Sequence, residues 1–326
     1  MSSTTLPFRR VLPVSAALAG VLTLSACGSG SGGGQGAGGG DGAKTRTVTT
    51  AMGEVQVPAE PKRVVVLDTA ELDSAVTLGV KPVGATRTDS PSGFPAHLPA
   101  GMVEDVKIVG QMLEPSMEAI LALKPDLILT SKLRHGGKYA ELKQIAPTVM
   151  TEGTGPSWKE NFLVHAKALG KEAEAGKTIA DYSARAAEVT AALGGKKQAG
   201  RTKVSMVRFV EGMDVCLYGK KNYIGTVLAD VGLDRPPVTD QAKDGFILTV
   251  SPENIDRADA DVIFHSVYGD PKKAKVPAVT GGPLWKNLTA VKNDRVHAVN
   301  DALWMQGIGY TAADKILGEL QEALTA

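Results

Sequence analysis

Arg208 interrupts the otherwise apolar run VSMVRFV (Val204 to Val210). A guanidinium inside a strand pattern must find acceptors or face a wet cleft, because an unpaired buried charge is very costly. It therefore points either to a ligand rich in oxygen acceptors or to a structural ion pair. Arg87 and Arg134 carry the same two readings, since they follow the predicted strands Val80 to Ala85 and Leu127 to Thr130. Trp158 follows Gly153-Thr154-Gly155-Pro156-Ser157 at the mouth of a long helical stretch, and Trp304 lies just past the predicted strand Val296 to Val299. Ligands of open α/β sheets bind beyond the carboxyl ends of the strands, so both tryptophans are expected at a cleft, with core packing as the alternative. Trp285, beside Pro283, is read as packing.

Catalytic signatures are missing. The chain contains no Gly-x-Ser-x-Gly elbow, no Gly-x-x-x-x-Gly-Lys-Ser/Thr loop and no His-Glu-x-x-His helix. The five histidines, His97, His135, His165, His265 and His297, include no i, i+4 pair and have no cysteine partner, so the spacing does not suggest a bare transition-metal site. Cys216 sits in the apolar run Val215-Cys216-Leu217-Tyr218 and reads as a buried, inert thiol.

The elements that must position these residues alternate between strand and helix. Lys62 to Ala85 gives an apolar strand, an amphipathic helix with Leu72, Val76 and Leu78 on one face, and a second strand. Ser116 to Ser131 and Tyr139 to Met150 repeat the helix-then-strand order, with Pro125 and Pro147 as stops. Residues 157 to 195 lack proline and read as one helical rod of nearly 40 residues, about 60 Å at 1.5 Å rise, with Gly170 and Gly176 as places for a kink. Such a rod is too long for one small lobe and is read as joining two. Beyond it, Arg201 to Gly219 gives two strands around Glu211-Gly212, and the alternation resumes through Val262 to His265 and Val296 to Val299. A last helix covers Thr311 to Leu324. The expected fold class is α/β, with two Rossmann-like lobes of parallel sheet, one long rigid helix between them and a ligand cleft at their junction. The boundaries are 46–155 for the first lobe, 156–196 for the bridging helix and 197–326 for the second lobe.

An internal repeat supports the division. Ser116, Glu118, Ile120, Asp126 and Ile128 recur as Ser251, Glu253, Ile255, Asp261 and Ile263 at a constant offset of 135 residues. In each copy the serine can cap a helix, the glutamate lies in its positive first turn and the aspartate precedes a buried strand. Two convergent helix–strand units and two related lobes both account for this pattern.

The first 26 residues contain Arg9 and Arg10, no acidic residue, and an apolar stretch, Val11 to Leu24, that is short for a bilayer span. They read as a secretory signal, and removing them takes the formal charge from +1 to −1. The stretch ends Leu24-Ser25-Ala26-Cys27, which resembles a bacterial lipobox and implies lipidation of Cys27. Residues 27–45 are read as the lipidated cysteine and its tether, since Gly28 to Gly42 holds ten glycines in fifteen residues and is too flexible and too polar to fold. The folded part is thereby expected at the extracytoplasmic face of the cell membrane. With 36 basic against 35 acidic residues, charge offers no case for binding nucleic acid.

From Val48 to the C-terminus the chain resembles the substrate-binding lipoproteins of ABC importers for iron siderophores, cobalamin and haem. Four segments carry the likeness: PKRVVVLDTAELDSAVTLGVKPVG, PSMEAILALKPDLIL, the long helix after Trp158, and NDALWMQGIGYTAADKILGEL. Within that class, Arg208 with Trp158 and Trp304 resembles ferric hydroxamate binders, especially those of ferrioxamine-type ligands. The resemblance implies an arginine donating to the oxygens around iron, tryptophans on the ligand's methylene arms, and iron held by the siderophore, so no protein cofactor or metal ligand. The ligand-contact candidates are Trp158, Arg208, Trp304, Arg134, Arg87 and Tyr223. The resemblance also implies docking of a monomer on ABC permease subunits through Glu118 and Glu253. Haem or cobalamin is the alternative cargo, and a lipid-anchored hydrolase or an adhesive module are the alternatives of other classes.

Overall fold

The computed structural model describes residues 44–325, residue 91 excepted. Cys27, the signal segment and the glycine-rich stretch 28–42 fall outside these residues, while Thr45, the last residue of the expected tether, already begins the first strand. The described chain opens with an antiparallel hairpin, β1 (Thr45–Thr50) and β2 (Gly53–Pro58). The first lobe is then built on β3 (Val64–Val66), β4 (Gly84–Arg87), β5 (Lys107–Gln111), β6 (Leu127–Ser131) and β7 (Thr148–Thr151), all parallel in the order β5-β4-β3-β6-β7. Its central strands are continuous apolar runs because both faces are covered, and Val65, Val66, Leu127, Ile128 and Leu129 are fully buried. Helix α1 (Thr69–Thr77) starts at Asp68, whose carboxylate accepts the Thr69 N–H, and α2 (Met117–Ala122) starts at Ser116, whose Oγ accepts the Ala119 N–H.

The connection between the lobes is helical but is not the single rod expected from the sequence. It consists of α3 (Trp158–Leu169) and α4 (Glu172–Ala192), about 18 Å and about 31 Å long at 1.5 Å per residue. The break is at Gly170, which adopts a left-handed φ of 71° and closes the end of α3 as Lys171 N–H bonds back to Ala166 O. A side chain there would collide with the Ala59 carbonyl and the Arg46 guanidinium, which itself reaches Ala59 O, Lys167 O and the Glu172 carboxylate. Gly176 stays helical inside α4.

The second lobe comprises β8 (Val204–Val210), β9 (Val215–Tyr218), β10 (Ile247–Val250), β11 (Val262–Tyr268) and β12 (Val296–Ala298), ordered β10-β9-β8-β11-β12. Here the expectation of an all-parallel sheet fails on one side. β8, β11 and β12 run parallel, but β9 and β10 are antiparallel to their neighbours. The short turn through Gly212 (φ 77°) can only return the chain as a hairpin, whereas a parallel neighbour needs a longer crossover. Helix α5 (Tyr223–Asp230) follows β9. The C-terminal α6 (Tyr310–Thr325) packs against both α1 and α4, and Asp73 accepts the Thr311 and Ala312 N–H groups at its start. One apolar cluster runs through the junction, from Leu72 and Leu129 past Phe162, Tyr182 and Ile316 to Phe264.

The repeat has a structural counterpart. Asp126 accepts the Lys62 and Arg63 N–H groups at the entry to β3, and Asp261 accepts the Lys203 N–H at the entry to β8. Ile120, Ile128, Ile255 and Ile263 are all buried, while Glu118 and Glu253 are exposed. The copies part at the serine: Ser251 makes no backbone cap, and Pro252–Ala258 is a 3-10 segment kinked at Asn254 rather than an α-helix.

Candidate ligand-binding site

A cavity of about 880 Å³ lies between the lobes at the carboxyl ends of their parallel strands. The first lobe contributes Arg87 at the end of β4, and Arg134 from the helical turn Lys132–His135 that follows β6. The second contributes Arg208 from β8, Tyr218 from β9 and Tyr268 from β11. Exposed Leu113 and Leu133 on one side, and Met213 and Phe246 on the other, add apolar surface.

Arg208 is ion-paired and also lies on the cavity wall. Its Nε and Nη2 donate to the two Asp301 carboxylate oxygens at 2.7 and 2.6 Å, and Nη1 donates to the Tyr218 hydroxyl at 3.1 Å. Burial works against its charge, but the Asp301 hydrogen bonds and charge outweigh it, so its pKa lies above the ordinary arginine value. Asp301 also accepts Ser266 Oγ–H and Gln306 Nε2–H. The Tyr268 ring lies 5.1 Å from the Arg208 guanidinium, and its hydroxyl crosses to the other lobe to donate to Asp89 at 2.6 Å. Arg134 Nε donates to Asp68 at 2.9 Å. Arg87 is exposed, and its guanidinium makes no hydrogen bond to another described residue.

The aromatic candidates are placed differently from expectation. Trp158 is 3% exposed, is not on the cavity wall, and packs edge-on against Tyr182 and Tyr223 while its indole N–H donates to Thr226 Oγ1. The first turn of α3 aims it into the junction core rather than the cleft. Trp304 backs the cavity but has no exposed surface; it stacks on Phe264 at 4.7 Å and donates to Glu319. Tyr223 likewise backs the wall, and its hydroxyl is committed to Gly309 O at 2.9 Å. Loop residues Phe94 and His97 turn inward and are buried. Trp285 packs in the second lobe's own core, as expected, and Cys216 is buried with its thiol pKa raised by burial.

Sequence reasoning missed Asp68, Asp301, Tyr218 and Tyr268. The aspartates had a signal: Asp68 and Asp301 lie two and three residues beyond the ends of β3 and β12, at the same sheet ends as the arginines, and a buried guanidinium demands such a partner. Behind the wall, α1 also carries Glu71, fully buried with neither oxygen hydrogen-bonded, 3.7 Å from His165 Nε2. Burial, then the neighbouring Asp68, raises the Glu71 pKa to about 8, and burial lowers that of His165 to about 3. Both are thus neutral at pH 7, and protonated Glu71 faces an imidazole whose Nδ1 pairs with Ser74 Oγ.

With this geometry in view, similarity to known proteins is informative. The chain is 37% identical over 93% of its length to the probable siderophore-binding lipoprotein YfiY of Bacillus subtilis, covering 94% of that protein. It is 30% identical to the iron(3+)-hydroxamate-binding protein FhuD of the same organism, over 92% of this chain and 91% of the other. Staphylococcus aureus SirA, solved in complex with staphyloferrin B, superposes with a TM-score of 0.77 at 35% identity, over 86% of this chain and 98% of SirA. These relatives are substrate-binding proteins rather than enzymes. The Periplasmic binding protein family matches residues 64–303, which include both five-stranded sheets and most of the cavity's lining, and the chain belongs to that family.

Proposed function

We propose that this protein captures a ferric siderophore in the inter-lobe cavity and delivers it, without chemistry on the ligand, to an ABC permease. The observation that carries the reading is the cavity itself, with arginines from both lobes on its wall. Guanidinium groups with N–H donors to spare suit a ligand that surrounds iron with oxygen atoms, and the siderophore supplies the metal's own ligands. The names of YfiY, FhuD and SirA support the same class. The protein is placed at the extracytoplasmic membrane face by lipidation of Cys27, as a monomer that meets its permease subunits through Glu118 and Glu253. The exposure of both glutamates at equivalent points of the two lobes supports that docking role.

A ferric hydroxamate of ferrioxamine type is the first candidate ligand, now supported by Arg208 and by the likeness to FhuD rather than by the tryptophans. A carboxylate-bearing ferric complex is a second reading, favoured by the guanidinium forks, whose geometry matches carboxylates two bonds at a time, and by the likeness to SirA. Titrating the full-length chain in detergent with ferrioxamine B, ferrichrome, ferric citrate, ferric staphyloferrin B, ferric enterobactin and haem, followed by tryptophan quenching, separates them. Submicromolar response to one of the first four confirms the class and picks the chemistry; a response to haem alone, or to none, overturns it. Glu118→Ala and Glu253→Ala are expected to leave binding within twofold and to abolish uptake in cells; an equal loss of binding would sink the docking role.

A further inference from the structure

Arg134 and Arg208 stand on opposite lobes, yet each is held from behind by an aspartate that itself sits in a fixed network. Asp68 is 1% exposed at the side chain and uses one oxygen for the Thr69 N–H at the start of α1 and the other for Arg134 Nε. Asp301 takes Nε and Nη2 of Arg208, together with Ser266 and Gln306. A guanidinium has five N–H donors. Among the described residues Arg134 spends only Nε–H and leaves both terminal nitrogens unused, whereas Arg208, with Tyr218 on Nη1, keeps one N–H on each terminal nitrogen. In both lobes the arginine lines the cavity and the aspartate that holds it does not.

We propose that Asp68 and Asp301 are positioning residues of the binding site: they contact no ligand, and they fix the direction in which Arg134 and Arg208 present their remaining donors. This rests on the cavity being the siderophore site. The alternative role for the aspartates is to neutralise charge, and the two roles predict opposite signs. Asp68→Asn and Asp301→Asn each leave the cavity one unit more positive, so a purely charge-balancing aspartate would make ferric citrate bind more tightly when replaced. A positioning aspartate would make every ligand bind more weakly, since the outward N–H groups lose their aim.

The test uses the full-length chain in detergent. In the ligand-free protein, the arginine Nε–H resonances of Arg134 and Arg208 are expected to be protected. Asp68→Asn and Asp301→Asn should each shift one of them and speed its exchange at least tenfold. Affinity for ferrioxamine B and ferric citrate should fall together, roughly tenfold for Asp301→Asn and about threefold for Asp68→Asn, while Asp301→Asn introduced into Arg208→Ala should change affinity less than twofold. Unchanged Nε–H exchange, tighter ferric citrate binding in the asparagine variants, or full additivity of Asp301→Asn and Arg208→Ala would each overturn the proposal. If the wild-type chain binds none of the six titrated complexes, the functional reading fails, and the Nε–H exchange of the same variants still decides whether the aspartates hold the arginines.

Discussion

In the first lobe Arg134 leans on Asp68 through Nε alone and keeps 32% of its side chain exposed, and Arg87 stands free of described partners. In the second lobe Arg208 is clamped by Asp301 on two nitrogens and by Tyr218 on the third, with 16% exposure. The sheets differ in the same sense: one is uniformly parallel, and the other is stiffened on one side by a hairpin. The second lobe thus offers a donor held at three nitrogens, and the first a donor held at one, with the exposed Arg87 beside it as the adjustable partner. Pre-set donors cost less entropy on binding, and adjustable ones accept variation in ligand shape.

The largest test of that contrast is Arg235, which has a fully buried role in the second lobe. Its guanidinium donates to the carbonyls of Val204, Tyr218 and Gly219, tying the start of β8 to the end of β9, and burial lowers its pKa to about 10. Arg235→Ala removes a donor from three carbonyls, of which Gly219 O keeps the Asn222 amide, and should cost about 4 kcal/mol in urea unfolding; a loss below about 1 kcal/mol would mean that the second lobe is not held this way.

The first lobe's buried peculiarity is titratable instead. Folded, the Glu71–His165 pair holds one proton from about pH 3 to about pH 8, while the unfolded chain holds two below pH 4.5, one between 4.5 and 6.5, and none above. Glu71, with its raised pKa, contributes stability that is lost as pH rises toward 8. His165, with its lowered pKa, contributes stability that is lost as pH falls toward 3. Their sum is a plateau from pH 4.5 to 6.5 and a decline of about 2 kcal/mol between pH 6.5 and 8. The facing groups Asp68 and Arg134 are included in that Glu71 environment. Urea midpoints across this range should show the decline, and Glu71→Gln should flatten it above pH 6.5; an unchanged slope in that variant refutes the pairing.

Ligand affinity then sharpens the comparison directly. Arg208→Ala should weaken binding tenfold or more, about 1.4 kcal/mol, Arg134→Ala about fivefold, and Arg87→Ala two- to threefold. Isothermal titration with the best-binding complex reads all three, and the reverse order would make the first lobe the selective one.

Much of the fold was legible because apolar runs and helical spacing follow directly from two-sided burial, as in Val64–Val66 and Leu127–Leu129. The division at Gly170 was legible only as a kink, since its cause is a contact with Ala59 and Arg46 more than a hundred residues upstream. At the site, arginines were easier to find than aromatics. A charge inside an apolar run is anomalous and needs an explanation, whereas a buried tryptophan obeys the same pattern whether it faces a ligand or Phe264.

The cap that Asp73 places on α6 spans 238 residues of sequence. The first lobe's helix α1 therefore lacks one of its packing partners until Tyr310–Thr325 is available. Contacts of such separation form late, because the intervening loop must close first. A chain threaded through a membrane from its N-terminus would emerge with its first lobe still unsealed, and would lock only when its final helix arrived.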